Sequence, residues 1–144
     1  MISIHTRIRT SIFTTLAALW LASSAAGQDA ALRVTEITTA RGYAAATGAT
    51  DPTTAFRRGD GRVFVVIRLE NPSQSEQDIT VSFERAEGAP SAGARGGVTL
   101  HVPASRRYRT VARSSTERAP GRWRAVVRDS GGAVLESVEF DVAE

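Results

Sequence analysis

The feature that most restricts this chain is a strand alternating between apolar and charged side chains, closed by a glycine turn and answered by a second alternating strand. It occupies Pro120 to Val142, PGRWRAVVRDSGGAVLESVEFDV. Side chains leave a strand with period two, so Trp123, Ala125 and Val127 share one face and Arg122, Arg124 and Arg128 the other. Asp129-Ser130-Gly131-Gly132 supplies the turn chemistry, because glycine reaches positive φ without a steric penalty. Val138, Phe140 and Val142 alternate with Glu139 and Asp141 on the return. A half-buried hairpin is expected.

The same period recurs upstream. Arg62 to Glu70, RVFVVIRLE, puts Val63, Val65, Ile67 and Leu69 on one face and Phe64 and Val66 on the other, so the middle of this strand is expected to be covered on both sides. Asn71-Pro72 ends it, since proline removes a ladder donor and restricts the residue before it. Asp78 to Glu84 turns Ile79, Val81 and Phe83 inward; Val98, Leu100 and Val102 alternate with Thr99 and His101 before Pro103. Arg106 to Arg113 sets Tyr108, Thr110 and Ala112 against Arg107, Arg109 and Arg113, with Val111 an apolar residue on the arginine face. Ala31 to Thr38 reads as a first strand at a sheet edge.

Two stretches lack a pattern. Arg41 to Asp60 reads as a long loop with a short strand around Tyr43, and loops of that length are commonly functional or mobile. Glu87 to Gly97, with four glycines and a proline, reads as a surface connection. No sustained 3.6-residue period and no internal repeat is visible. The predicted core is Val65, Ile67, Phe83, Trp123, Val127 and Phe140.

The N-terminus follows a different logic. His5, Arg7 and Arg9 precede the apolar run Ile12 to Ala22, and the small residues Ser23 to Gly27 follow, which is the order of a secretory signal peptide. That run covers 11 positions, whereas a membrane-spanning helix needs roughly 20. The expected products are a signal peptide, 1–26, and one domain, 27–144, exported to the periplasm or cell surface. No cysteine follows the run, so a lipid-modified N-terminus is not expected.

Removing that segment also changes the charge argument. Two of the 18 basic residues leave with it while all 15 acids stay, so the formal balance of the remaining domain falls to +1. Every basic residue is arginine. A generic nucleic-acid binder carries a larger excess, and no nucleic-acid partner is expected. With no cysteine in the chain there is no disulfide, and the apolar core alone must hold the domain together.

About seven short strands, turn signals between them and no helical pattern fit an all-β, two-sheet antiparallel sandwich of the immunoglobulin-like kind, with a small barrel as the alternative. The series Leu69-Glu70-Asn71, Arg107-Tyr108-Arg109-Thr110, then Gly121-Arg122-Trp123 through Asp129, Gly132, Val134-Leu135 and Phe140-Asp141-Val142 resembles a family of bacterial envelope-associated domains of unknown function. The resemblance runs from Arg33 to Val142. It implies an immunoglobulin-like sandwich in an exported setting, and no activity or catalytic residue. Tyr108 stands where that family commonly has tryptophan.

Chemistry-bearing residues are sparse. His101 is the only histidine after the signal peptide, at an outward strand position, and zinc sites lack their ligands. Ser114-Ser115-Thr116-Glu117 has no base at a recognisable spacing. Glu84/Glu87 and Glu139/Asp141 stand at outward positions without the apolar walls that raise an acid's pKa. Asp51, Asp60 and Asp129 lie in loops but form no calcium-loop spacing. Neither an enzyme nor a metal or cofactor is expected. The one uneven feature is arginine: eight fall between Arg106 and Arg128. If the two strands that carry them share a sheet, Arg107, Arg109, Arg113, Arg122, Arg124 and Arg128 merge into a face for carboxylates or phosphates. The alternative is that Glu136, Glu139 and Asp141 neutralise them as a solvated ladder. The expected role is a non-catalytic module docking another envelope protein; the alternative is binding of an anionic glycan or lipid headgroup through that arginine face.

Overall fold

The computed structural model describes residues 31–90 and 97–144. The expected signal peptide, and residues 91–96 of the glycine-rich connection, lie outside them. Among the described residues nine strands run in chain order as β1 (Arg33–Ala44), β2 (Gly48–Pro52), β3 (Ala55–Arg57), β4 (Arg62–Glu70), β5 (Gln77–Arg85), β6 (Val98–Val102), β7 (Arg107–Ser115), β8 (Gly121–Arg128) and β9 (Val134–Ala143). They form two sheets, ordered β2-β1-β4-β7 and β3-β9-β8-β5-β6, packed as a β-sandwich. Among the described residues no helix is long and apolar enough to cross a membrane.

The core follows the alternation of the strands. On β4, Val63, Val65, Ile67 and Leu69 are buried and face the second sheet's Ile79, Val81, Ala125, Val127, Phe140 and Val142. Phe140 holds the centre of one end, edge-on to Phe56 of β3 at 5.8 Å and to Phe83 of β5 at 6.4 Å, near the T-shaped geometry that aromatic pairs favour. The run continues outward at both ends: Arg41 lies over Phe56 at 5.9 Å, and Arg118 bridges Phe83 at 5.5 Å and Trp123 at 4.5 Å. Arg85 closes it over Trp123 at 4.7 Å. Of the six predicted core residues, Val65, Ile67, Val127 and Phe140 are buried, whereas Phe83 and Trp123 are half-buried and packed against the core from its end. The Trp123 indole N–H donates to the Ala119 carbonyl at 2.9 Å.

The closing hairpin forms as its turn residues require. Asp129 Oδ1 accepts from the Gly131 and Ala133 amides, both at 2.9 Å, and Gly132 takes φ 87°, where a side chain is disfavoured. Its outward face is solvated only in part, at Arg122, Glu139 and Asp141. Arg124, Val126 and Arg128 are buried, because β8 lies between β9 and β5 and both guanidiniums are drawn back onto the sheet.

The stretch from Arg41 to Asp60 differs most from expectation. It is not a loop: β1 runs on through Ala44, and β2 and β3 follow, which raises the strand count from about seven to nine. β1 is also not an edge strand, since β2 pairs on its far side. Leucine, isoleucine and valine are absent between Arg41 and Asp60, so no apolar alternation announces these strands. Arg41 organises them, donating to Asp51, the Ala55 carbonyl and Asp60 while it covers Phe56. One pairing departs from the antiparallel expectation: β3 lies parallel to β9, Phe56 opposite Val142.

The β1–β2 hairpin doubles back over the outside of its own sheet. Ala40 lies beside Phe64, at the far end of β4 from Arg68 and Arg109, yet the hairpin tip reaches Arg109, which donates to the Ala45 carbonyl at 2.5 Å. This brings β2 over β4 and explains why Ala40 and Val66, both on outward positions, are buried. Gly48, at φ 90°, permits the approach, since a Cβ there would stand 3.0 Å from Arg109 Nη1. The middle of β4, at Val66, is therefore covered on both faces, as expected.

Phe140→Ala is expected to destabilise the fold by about 3–5 kcal/mol in urea titrations, the scale of a buried aromatic truncation. Trp123→Ala should cost less because its ring is half-buried between guanidiniums. Equal costs would place Trp123 as deep as Phe140.

Candidate functional site

The six arginines singled out from the sequence do not share a face. β7 belongs to the first sheet and β8 to the second, because Pro103–Arg106 carries the chain from the edge of one sheet to the other and Thr116–Pro120 carries it back. Each β8 arginine has partners on its own sheet. Arg122 is exposed and pairs with Asp141 at 3.4 Å and Glu139 at 3.8 Å. Arg124 meets Glu84 at 3.1 Å and the Gly88 carbonyl at 2.8 Å, and Arg128 donates to Ser82 Oγ at 2.7 Å. Glu136 turns to the Ser137 amide. These arginines build the sheet.

The β7 arginines stand differently. Arg107 is exposed, opposite Glu70, with no ion pair among the described residues. Arg113 is exposed and lies over Phe64 at 5.5 Å. Arg109 is half-exposed, directly opposite Arg68 of β4, an arrangement of like charges that is unfavourable unless something else occupies them. Arg68 meets Glu36 at 3.3 Å and Arg109 meets the hairpin carbonyls.

Around these groups lies an open concavity of about 530 Å³, lined by Thr35, Arg68, Leu69, Glu70, Arg107, Tyr108 and Arg109. A β-bulge in β1 falls between Val34 and Glu36, leaving Thr35 out of the ladder, and its hydroxyl donates to the Arg68 carbonyl at 3.3 Å. Bulges re-aim side chains and recur beside binding sites. Glu70 is held by Arg33 at 2.8 Å. Four arginines, Arg33, Arg68, Arg107 and Arg109, thus surround two glutamates, Glu36 and Glu70, and positive charge is left over. Such a site can take a carboxylate or phosphate, since the planar guanidinium presents paired donors to either.

Sequence reasoning reached Arg107 and Arg109 through their clustering but missed Arg68, Glu70 and Thr35, which arrive from distant strands. The outward phase of Arg68 on β4 was the one available signal.

Other candidates have local roles. Asp51 and Asp60, weighed as calcium ligands, both face Arg41, at 3.2 and 3.5 Å, and Asp129 caps its own turn. His101 lies 3.2 Å from Asp78, its cross-strand partner. Ser114 accepts from Arg118, whose pKa is lowered by desolvation between the rings. A further concavity of about 390 Å³, between β1 and β9, is lined mostly by threonines of β1 and the β2–β3 connection.

A profile of a protein family of unknown function, DUF2914, matches residues 94–142, about a third of the chain. The match includes Arg107 to Thr110 and the closing hairpin but not Leu69-Glu70-Asn71, so it is narrower than the span from Arg33. No curated protein matches the chain. Among solved structures, it is similar to the Pseudomonas fluorescens alkylpurine DNA glycosylase AlkC bound to DNA containing an abasic site analog, with TM-score 0.50, 18% identity, and coverage of 83% of this chain and 32% of that one. Weaker similarity is found to the β-glucosidase from Listeria innocua in complex with gluconolactone (TM-score 0.48, 13% identity, 79% of this chain and 16% of that one). The β-glucosidase from Kluyveromyces marxianus in complex with glucose gives TM-score 0.46 at 10% identity, over 78% of this chain and 14% of that one. The chain spans a third or less of these proteins, and at such identity the likeness is one of fold alone.

The carboxyl of Asp60 is held below its ordinary pKa, first by the Arg57 amide at 2.9 Å and then by Arg41. A depressed folded-state pKa adds stability above the unfolded value, lost as pH falls through the folded one. Asp60→Asn should therefore lower the melting midpoint at neutral pH, and the gap from the parent should close as pH drops below the ordinary value of 3.8. A gap independent of pH would assign the loss to packing.

Proposed function

We propose that this chain is a non-catalytic, immunoglobulin-like domain of the bacterial envelope, exported behind a signal peptide at residues 1–26, that docks another envelope protein through an acidic stretch of that partner. The observation that carries this reading is the convergence of Arg68, Arg107 and Arg109 on one concavity beside the bulge at Thr35. The charged, apolar and small residues at the N-terminus support export. Glu70, the one carboxylate among the described residues lining the concavity, is engaged by Arg33 at 2.8 Å, and no histidine stands beside it there. A binding role fits that chemistry better than a catalytic one.

The second reading, an anionic glycan or lipid headgroup, draws on the same guanidiniums, which accept carboxylate or phosphate from any carrier. Polyglutamate, polygalacturonate and vesicles rich in phosphatidylglycerol separate the two. Polyglutamate should bind most tightly, weaken as salt rises, and lose about tenfold in affinity in Arg68→Ala/Arg107→Ala, the equivalent of one close charge pair. Tighter binding of the polysaccharide or the vesicles would move the function to the second reading. Binding indifferent to salt and to both substitutions would refute the two together.

A further inference from the structure

Four strands end the two sheets, and three are poor templates for another chain. β2 has five residues, ends on Pro52 and is folded over β4; β3 has three residues; β6 has five and is followed by Pro103. β7 is different: nine residues, RYRTVARSS, without proline or glycine. It pairs with β4 along its whole length, from Arg107 opposite Glu70 to Ser115 opposite Arg62, and among the described residues no strand pairs with its other side. About half its backbone N–H and C=O groups therefore point out of the sheet, a row that a further strand can complete.

The side chains of that edge specify the strand it would take. Arg107, Arg109 and Arg113 lie on its outward face and no acid occurs in the strand. A second copy pairing there would set these arginines against their own counterparts, which is unfavourable, whereas an acidic strand would be attracted. On the inward face, half-exposed Thr110 and Tyr108 lie at the open side of the sandwich, where Val98 of β6 is 42% exposed although it occupies an inward position. Apolar residues on the inner face of an added strand would close that side.

We infer that β7 accepts an extended segment of the partner protein as an added strand, with acidic residues meeting Arg107, Arg109 and Arg113 and apolar residues turned toward the core. The inference rests on the docking reading above and specifies how the partner binds; the arginine concavity then marks one end of the added strand, and Arg113, outside the concavity, marks the other.

The experiment uses the isotope-labelled chain and a peptide of alternating glutamate and valine matched to the nine residues of β7, with a lysine–valine peptide as control. At low salt the glutamate peptide should bind and slow amide exchange by about tenfold or more at every second residue of β7, while β2 and β6 are unaffected. The lysine peptide should do neither. Arg113→Gln should weaken binding several-fold although it lies outside the concavity. Binding that depends on Arg68 and Arg107 but ignores Arg113 and protects no alternating amides would overturn strand addition and leave docking at the concavity standing. If neither polyglutamate nor the glutamate peptide binds, the docking reading falls and this inference with it. Equal binding of the lysine peptide would overturn the assignment of an acidic partner.

Discussion

With no cysteine in the chain, the two sheets are held face to face by the apolar side chains between them, and within the second sheet Phe140 gathers the aromatic end of that layer. Its ring touches Phe56 from the shortest strand and Phe83 from β5, so one residue joins three strands. Phe56 is nearly fully buried although β3 has three residues, and that burial docks β3 on β9. Loss of the central ring would release β3 and, with it, the connection that carries the chain from one sheet to the other. Aromatic contacts of this geometry add about 0.5–1.5 kcal/mol beyond burial alone, a large share of the stability of a domain this size.

Arginine extends the same contact outward. Where the rings run out, guanidiniums stack on them: Arg41 on Phe56, Arg118 between Phe83 and Trp123, Arg85 on Trp123. A guanidinium is flat, weakly hydrated and able to donate sideways while its face covers a ring, so each closes the apolar layer without an unsatisfied polar group. Arg85 donates to the Pro120 carbonyl and Arg118 to that of Ser115 in this way. With Arg113 on Phe64, four of the described arginines are absorbed into structure in this way. In the Thr35 concavity, by contrast, Arg68 stands directly opposite Arg109.

That concavity is assembled by register. Pairing Leu69 with Tyr108 sets Arg68 opposite Arg109 and Glu70 opposite Arg107, and the bulge at Thr35 shifts β1 so that Glu36 reaches Arg68. The hairpin tip then draws Arg109 toward Ala45 and leaves Arg107 facing solvent. The site thus couples a surplus of positive charge to the one long sheet edge whose outer side no described strand covers. Edges of this kind are usually blunted, and arginines on the outward face of β7 do so against self-association while leaving open a partner of opposite charge.

The sequence by itself determined the strands whose side chains alternate in hydrophobicity. β4 and β6 stand where Val63 to Leu69 and Val98 to Val102 put them, and the hairpin turns at Asp129 to Gly132 because its glycines and aspartate permit little else. Period two is a local property, legible wherever one face is apolar. It was silent between Arg41 and Asp60, where alanine, glycine and threonine bury little and an arginine hub does the organising. Which strands would become neighbours was decided only by the tertiary structure. The arginines of β7 and β8 look continuous along the chain, yet the crossing at Thr116–Pro120 sends them to different sheets. Burial of Arg124 and Arg128, and the meeting of Arg68 with Arg109, likewise follow from pairings between distant strands. A strand's own residues tell which face is apolar; the whole set of strands, competing to cover one core, decides what lies beside it.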